Sequence, residues 1–138
     1  MVDIHVIYEG KLRCSARHGP SGARLETDAP VDNQGLGQSF SPTDLVATGL
    51  GSCMLTLMGI TAREHGWVVE GIAVRVEKQM TKRPPRRIER LSVEFDVPDS
   101  IRSALDEGAR SELERAAHGC PVRLSILEAI DVPVRFNW

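Results

Sequence analysis

The longest apolar stretch of the chain runs from residue 41 to residue 65 and predicts one long central helix. Ser41 is a good N-cap, and Pro42 suits the first helical position because its missing N–H would have had no partner there. Asp44 follows Ser41 by three residues, so its carboxylate completes a capping box and meets the positive end of the helix dipole. Gly66 is predicted to end the helix. The apolar residues fall all around this helix, which is the pattern of a buried helix.

Three glycines, Gly49, Gly51 and Gly59, lie inside this helix, and each weakens it by roughly 1 kcal/mol relative to alanine. Such a concentration indicates the close approach of another backbone, for which a second copy of the same helix is the simplest candidate. Short strands could cover only part of the helix, which again predicts a homodimer. Asp44 and the charged end at 63–65 shorten the apolar run below the ~20 residues of a membrane span, so we expect no membrane insertion.

Alternation of apolar and polar residues predicts three strands before the helix, at 2–8, 11–17 and 23–28, and three after it, at 69–80, 91–97 and 131–138. Pro133 predicts an edge position for the last strand, because proline cannot donate to a sheet ladder.

Apolar residues spaced by four predict a second helix that opens at Pro98, is interrupted at Gly108 and ends at Gly119. A short third helix is predicted from Val122 to Glu128. The order βββ-α-ββ-αα-β groups the strands in hairpins, and it predicts an α+β fold with an antiparallel sheet around the central helix. No repeat or linker divides the chain, so a single domain over 1–138 is predicted.

Composition excludes several classes of function. The chain has 138 residues, 41% hydrophobic and 26% charged, with a net charge of -2, which gives no global reason to bind nucleic acid or membrane. The N-terminus is acidic and strand-like rather than a signal peptide, which predicts a cytoplasmic protein. In that compartment three cysteines do not indicate a disulfide framework, and no zinc-binding spacing occurs. We therefore expect no metal and no bound cofactor.

The cysteines differ in predicted environment. Cys120 precedes Pro121 at the start of a helix, where free N–H groups and the helix dipole favour a reactive thiolate. Cys53 lies inside the buried helix, where desolvation disfavours the thiolate. Cys14 lies on the apolar face of its strand, as a small hydrophobic residue would. From the residues alone, Cys120 is the candidate for reactivity.

Two motifs change this picture. Ser41-Pro-Thr-Asp-Leu followed by Gly51-Ser-Cys53, together with His118-Gly-Cys-Pro-Val122, resemble the OsmC/Ohr family of thiol-dependent hydroperoxide reductases. The resemblance implies that Cys53 is the peroxidatic nucleophile and that Cys120 resolves it. It also implies an intertwined α+β homodimer with its active sites at the subunit interface, an organic hydroperoxide substrate, an external dithiol reductant and a role in the oxidative stress response.

In the family, an arginine activates the nucleophile and a carboxylate near the start of the central helix holds that arginine. The best-known members have Glu directly after the helix-opening proline, whereas this chain has Thr43 there and Asp44 one place later. One residue turns a helical side chain by about 100°, so Asp44 is either the catalytic carboxylate or only a cap. The sequence does not choose among Lys11, Arg13 and Arg17 as the activating cation.

Two other hypotheses from different classes are open. The first is a non-catalytic protein that binds a small ligand, with Cys53 lining an apolar pocket at the dimer interface. The second is a metal site formed by Cys53, Cys120 and His118. A cluster of basic residues at a predicted hairpin tip has no interleaved aromatics to stack on bases, so a solvated tip is a simpler interpretation than a nucleic-acid patch. The cluster comprises Lys78, Lys82, Arg83, Arg86 and Arg87.

Overall fold

A computed structural model describes residues 1–138 and divides into two compact units, Met1–Val46 and Ala47–Trp138. The first unit is an antiparallel meander in the order β1-β2-β3, followed by a short 3₁₀ turn. Its elements are β1 (Ile4–Gly10), β2 (Arg13–His18), β3 (Arg24–Asp28) and the turn at Val31–Asn33. The prediction of a single domain over 1–138 stays a prediction.

The second unit contains a three-stranded sheet in the order β4-β5-β6 and three short helices. The long helix α1 begins in the first unit and continues into the second. The bounds of these elements are α1 (Pro42–His65), β4 (Ala73–Met80), β5 (Ile88–Asp96), α2 (Asp99–Ala104), α3 (Glu107–His118), α4 (Pro121–Ser125) and β6 (Val134–Asn137).

The turn between β1 and β2 is longer than predicted. Lys11 and Leu12 have φ angles of 52° and 63°, and they follow Gly10 at 85°. Successive left-handed residues reverse the chain, so β2 begins only at Arg13. Lys11 and Leu12, which were predicted to lie on a strand, therefore lie in the turn.

The predicted ends of the long helix are confirmed. The Ser41 backbone N–H donates to Asp44 Oδ2 at 2.7 Å, and the Asp44 N–H donates to Ser41 Oγ at 3.2 Å. This reciprocal pair is a capping box with aspartate in the role usually taken by glutamate. After His65, Gly66 takes a φ of 72° and ends the helix.

Within this chain α1 buries only one face. Gly51 lies against β4, where a Cβ would come 2.9 Å from Val76 Cγ2. A Cβ on Gly49 or Gly59 would meet nothing within 4 Å. By length and hydropathy the helix could cross a membrane, so the prediction that its apolar run is too short was wrong. The buried stripe consists of Ala47, Leu50, Gly51, Met54, Met58 and Ala62.

The second sheet corrects the expectation of purely antiparallel pairing. Strands β4 and β5 pair antiparallel, but β5 and β6 pair parallel, with Val93 opposite Val134. Three helices lie between β5 and β6 in sequence, and a connection of that length allows the chain to re-enter the sheet in the same direction. The last strand lies at the sheet edge, as Pro133 predicted.

The predicted second helix is two helices, α2 and α3. The break falls at Leu105, which has an extended backbone, and Asp106 then caps α3 by accepting the Ala109 N–H at 2.8 Å. Gly108 lies in the first turn of α3, so the interruption was predicted three residues too late. The core of the second unit gathers the apolar faces of α1, β5 and α3, with Leu50, Met54, Leu91, Phe95 and Leu113 fully buried.

Candidate active site

Cys53 lies in the middle of α1, next to the buried stripe rather than on it. Its neighbour Met54 is fully buried, whereas Cys53 is only partly buried and is a free thiol. Two residues earlier, Gly51 packs against Val74 and Val76 of β4. The helix thus lies close against the sheet on one side and leaves the residue Cys53 partly exposed on another.

Cys120 is fully buried and caps the short helix α4. Its Sγ accepts the Arg123 N–H at 3.3 Å, and Pro121 occupies the first helical position, as the sequence predicted. It is also a free thiol. Solvent reagents therefore have no direct access to Cys120.

The two cysteines of the motifs lie side by side. Burial is the largest influence on the pKa of the Cys120 thiol and raises it, and the neighbouring Cys53 side chain raises it further. The hydrogen bond from the Arg123 N–H acts in the opposite direction but is outweighed. The expectation that Cys120 would be an acidified thiol was therefore wrong, because a five-residue helix does not offset complete burial.

The two neighbouring thiols differ in their exposure to solvent. Within one chain Cys53 is partly exposed, whereas Cys120 is fully buried. Two adjacent thiols are what a thiol–sulfenic acid condensation requires.

Asp44 belongs to the first unit and serves there as a helix cap. Its carboxylate accepts the Ser41 N–H, which accounts for its position at the start of α1. A catalytic role for Asp44 stays a prediction.

A buried carboxylate that sequence reasoning missed also lies in the first unit. Asp28 is 1% exposed; its Oδ2 accepts the Gln38 N–H at 3.0 Å and lies 3.6 Å from the Arg13 guanidinium. Arg13 also donates to the side-chain oxygen of Gln38. Arg17 forms no ion pair. The signal that could have revealed this pair is strand register, because Arg13 and Asp28 face each other across β2 and β3.

The metal hypothesis is contradicted. The His118 ring packs edge-on against Phe136, with 5.9 Å between the centroids. No group of three histidine, cysteine or acidic side chains is arranged to hold a metal ion. Cys53 and Cys120 therefore form a pair without His118 as a third ligand.

Comparison with known proteins agrees with the motifs. The model of the OsmC-like protein family matches residues 35–135, so the chain belongs to this family. The long apolar helix α1 is accordingly the core helix of an OsmC-like fold, which combines two small sheets with this helix. No curated protein matches the sequence.

Solved structures share the fold. A protein of Psychrobacter arcticus, provisionally described as an osmotic stress induced and detoxification response protein, has 40% identity and a TM-score of 0.90, over 99% of this chain and 96% of that one. An organic hydroperoxide resistance protein OsmC of Legionella pneumophila has 16% identity and a TM-score of 0.76, over 100% and 97%. An OsmC-like protein of Mycoplasma pneumoniae has 14% identity and a TM-score of 0.78, over 99% and 96%.

Proposed function

We propose that this protein is a thiol peroxidase that reduces organic hydroperoxides, with Cys53 as nucleophile and Cys120 as resolving thiol. The observation that carries the proposal is the pairing of a partly exposed Cys53 with a buried Cys120. Membership of the OsmC-like family supports it, since a Legionella pneumophila protein of the same fold is described as an organic hydroperoxide resistance protein.

The reaction balances with these two thiols. The Cys53 thiolate attacks the peroxide oxygen, the O–O bond breaks, Cys53 becomes a sulfenic acid and the alkoxide takes up a proton to leave as an alcohol. The Cys120 thiol then attacks the Cys53 sulfur, and the two form a disulfide with release of water. An external dithiol returns both cysteines to thiols by exchange and leaves as a disulfide. No metal or bound cofactor takes part.

Among the three basic candidates for the activating cation, all in the first unit, Arg13 is the one that a carboxylate holds in place. Its guanidinium is held by the buried carboxylate of Asp28 and by Gln38, so its orientation is fixed before substrate arrives. Lys11 lies in a turn and Arg17 has no carboxylate partner. A fixed cation stabilises a thiolate better than a mobile one, because no ordering cost is added during the reaction.

We also propose that the protein is a homodimer through the outer face of α1. Gly49 and Gly59 face open space, and Val46 and Ile60 are 37% and 38% exposed on an otherwise apolar helix. Small residues on such a face allow a second helix to approach closely.

Steady-state turnover tests the proposed activity. With tert-butyl hydroperoxide as substrate and dithiothreitol as reductant, we expect catalytic consumption of peroxide that is abolished by Cys53→Ser and retained by Cys14→Ser. A folded protein that binds a hydroperoxide or other apolar ligand without consuming peroxide would instead establish the non-catalytic alternative.

A further inference from the structure

The hairpin tip at 78–90, which is the loop 81–87 with the adjoining ends of β4 and β5, concentrates positive charge in a protein whose net charge is -2. Residues 78–90 contain six lysines and arginines against the single acid Glu89, a net charge of +5, so the rest of the chain carries -7. The proposed catalytic cycle uses none of these charges. The six basic residues are Lys78, Lys82, Arg83, Arg86, Arg87 and Arg90.

The loop has a fixed shape. The Thr81 N–H donates to the Arg87 carbonyl at 2.9 Å, and the Arg87 N–H donates to Thr81 Oγ1 at 3.1 Å. The Thr81 hydroxyl in turn donates to the Pro85 carbonyl at 2.9 Å. These hydrogen bonds join the two ends of the loop, so its backbone is held in one conformation.

Two of the basic residues, Arg87 and Arg90, bond to other parts of the second unit, whereas two at the tip of the loop have no partner. Arg87 donates to the Ala129 carbonyl at 3.4 Å, and Arg90 pairs with Asp131 at 2.5 Å. Lys82 and Arg83 are exposed at the tip and form no ion pair or hydrogen bond. Two exposed cations without a partner in the chain suit an anionic partner from outside.

The loop belongs to the same unit as the thiols and lies within reach of them. Val76 of β4 contacts Gly51, which is two residues from Cys53. Lys82 follows Val76 by six residues, or about 20 Å along an extended strand at ~3.3 Å per residue. A partner surface of ordinary size, about 800 Å² a side, could cover the loop and reach the cysteines.

The charge distribution favours a compact anionic partner. DNA or an anionic bilayer extends beyond the loop, so it would also meet the acidic remainder of the protein, and no aromatic side chain in the loop offers stacking to bases. An acidic patch on a protein can match the loop alone. The proposed cycle already requires a partner of a known kind, a dithiol reductant.

We propose that this loop docks an acidic surface of a protein that carries the reducing dithiol, an inference that rests on the proposed function. One thiolate of the partner attacks a sulfur of the Cys53–Cys120 disulfide and forms a mixed disulfide. The second thiol of the partner then displaces the remaining cysteine, so the partner leaves oxidised by two electrons and both protein thiols are restored. The loop speeds association with the partner and takes no part in the thiol exchange itself.

Matched peptides test the proposal. Each peptide carries two cysteines, a six-residue Gly-Ser spacer and a tail of either four glutamates or four glutamines. The oxidised protein is mixed with each peptide at low salt, and the second-order rate constant of thiol recovery is measured. We expect the acidic peptide to react about fivefold faster than the neutral one, and the difference to vanish at high salt.

The variant Lys82→Gln/Arg83→Gln should remove this preference and leave the rate with the neutral peptide unchanged. Arg24→Gln/Arg135→Gln removes two exposed cations outside the loop and should retain the preference. Equal rates for both peptides with the wild-type protein would overturn the proposal, as would a preference that survives in the loop variant. Loop-dependent binding of a DNA duplex or of phosphatidylserine vesicles that is tighter than binding of the acidic peptide would also overturn it.

Failure of the proposed function can be told apart from failure of the docking proposal. If dithiothreitol does not restore the thiols, or if peroxide forms no Cys53–Cys120 disulfide, the catalytic cycle is refuted whatever the peptides show.

Discussion

The Cys53 thiol lies beside the Cys120 thiol, although 67 residues separate them in sequence. The pair is asymmetric, because Cys53 is partly exposed and Cys120 is fully buried and has a raised pKa. This difference in burial sets the order in which the two thiols react in the proposed cycle. In the proposed cycle, peroxide reacts with Cys53 first, and Cys120 reacts only with the product.

Cys14 should be dispensable. It lies on β2 in the first unit, half-buried and opposite Tyr8 and Thr27. Cys14→Ser replaces a thiol by a hydroxyl, which costs at most ~1–3 kcal/mol of stability where the hydroxyl lacks a partner. Turnover with tert-butyl hydroperoxide should be unchanged. Loss of turnover in a variant with a wild-type circular dichroism spectrum would show that the thiols are wrongly assigned.

Arg13 should be needed for reactivity, unlike the other basic candidates. We expect Arg13→Gln to slow the reaction with peroxide roughly tenfold or more, because a lost charge interaction of about 1.4 kcal/mol corresponds to one factor of ten. Arg17→Gln is the matched control and should react at the wild-type rate. The rate is measured by stopped-flow with stoichiometric peroxide. Equal rates for Arg13→Gln and the control would remove Arg13 from the mechanism.

Asp28 should act through Arg13. Asp28→Asn keeps the side-chain shape and removes the charge that holds the guanidinium. We expect it to slow the peroxide reaction in the wild-type background but to add little in the Arg13→Gln background, because coupled residues are not additive. Additive losses in the double variant would mean that the two residues act independently.

The outer face of α1 should form the dimer interface. Sedimentation of the wild-type protein at micromolar concentration should give twice the chain mass of 15.2 kDa. Gly59→Val adds bulk where the chain itself leaves open space, so it should weaken the dimer without unfolding the chain. Gly51→Ala collides instead with Val76 inside the chain and should lower the melting temperature. A wild-type protein that sediments as a stable folded monomer would contradict the interface.

The sequence predicted the capped long helix, six strands and the cysteine motifs, because each depends on local chemistry such as the Ser41–Asp44 capping box. It did not predict the parallel pairing of β6, since the direction of an edge strand depends on the path of the three helices before it. The Arg13–Asp28 pair was also missed, because it depends on the register of two strands. The helix dipole suggested a reactive Cys120, but burial, which outweighs the dipole there, is a property of the tertiary structure.

Burial of Cys120 predicts a pH dependence of stability. Burial, and then Cys53, raise the pKa of the Cys120 thiol, so it stays protonated in the folded protein when the unfolded chain has already ionised. Its stabilising contribution is complete below the unfolded pKa of about 8.5 and is lost as pH rises towards the folded-state pKa. Under reducing conditions, the melting temperature of the wild-type protein should fall more steeply above pH 8.5 than that of Cys120→Ala. Parallel curves would contradict the raised pKa.

Trapping of sulfenic acid in single cysteine variants tests the central claim most directly. Each variant is treated with one equivalent of tert-butyl hydroperoxide and dimedone, and the labelled residue is identified by mass spectrometry. We predict that Cys120→Ser carries the label at Cys53 and, without dimedone, over-oxidises there instead of forming a disulfide. Cys53→Ser should stay unlabelled on the same timescale. Labelling of Cys120 at the wild-type rate in Cys53→Ser would reverse the two roles and contradict the account.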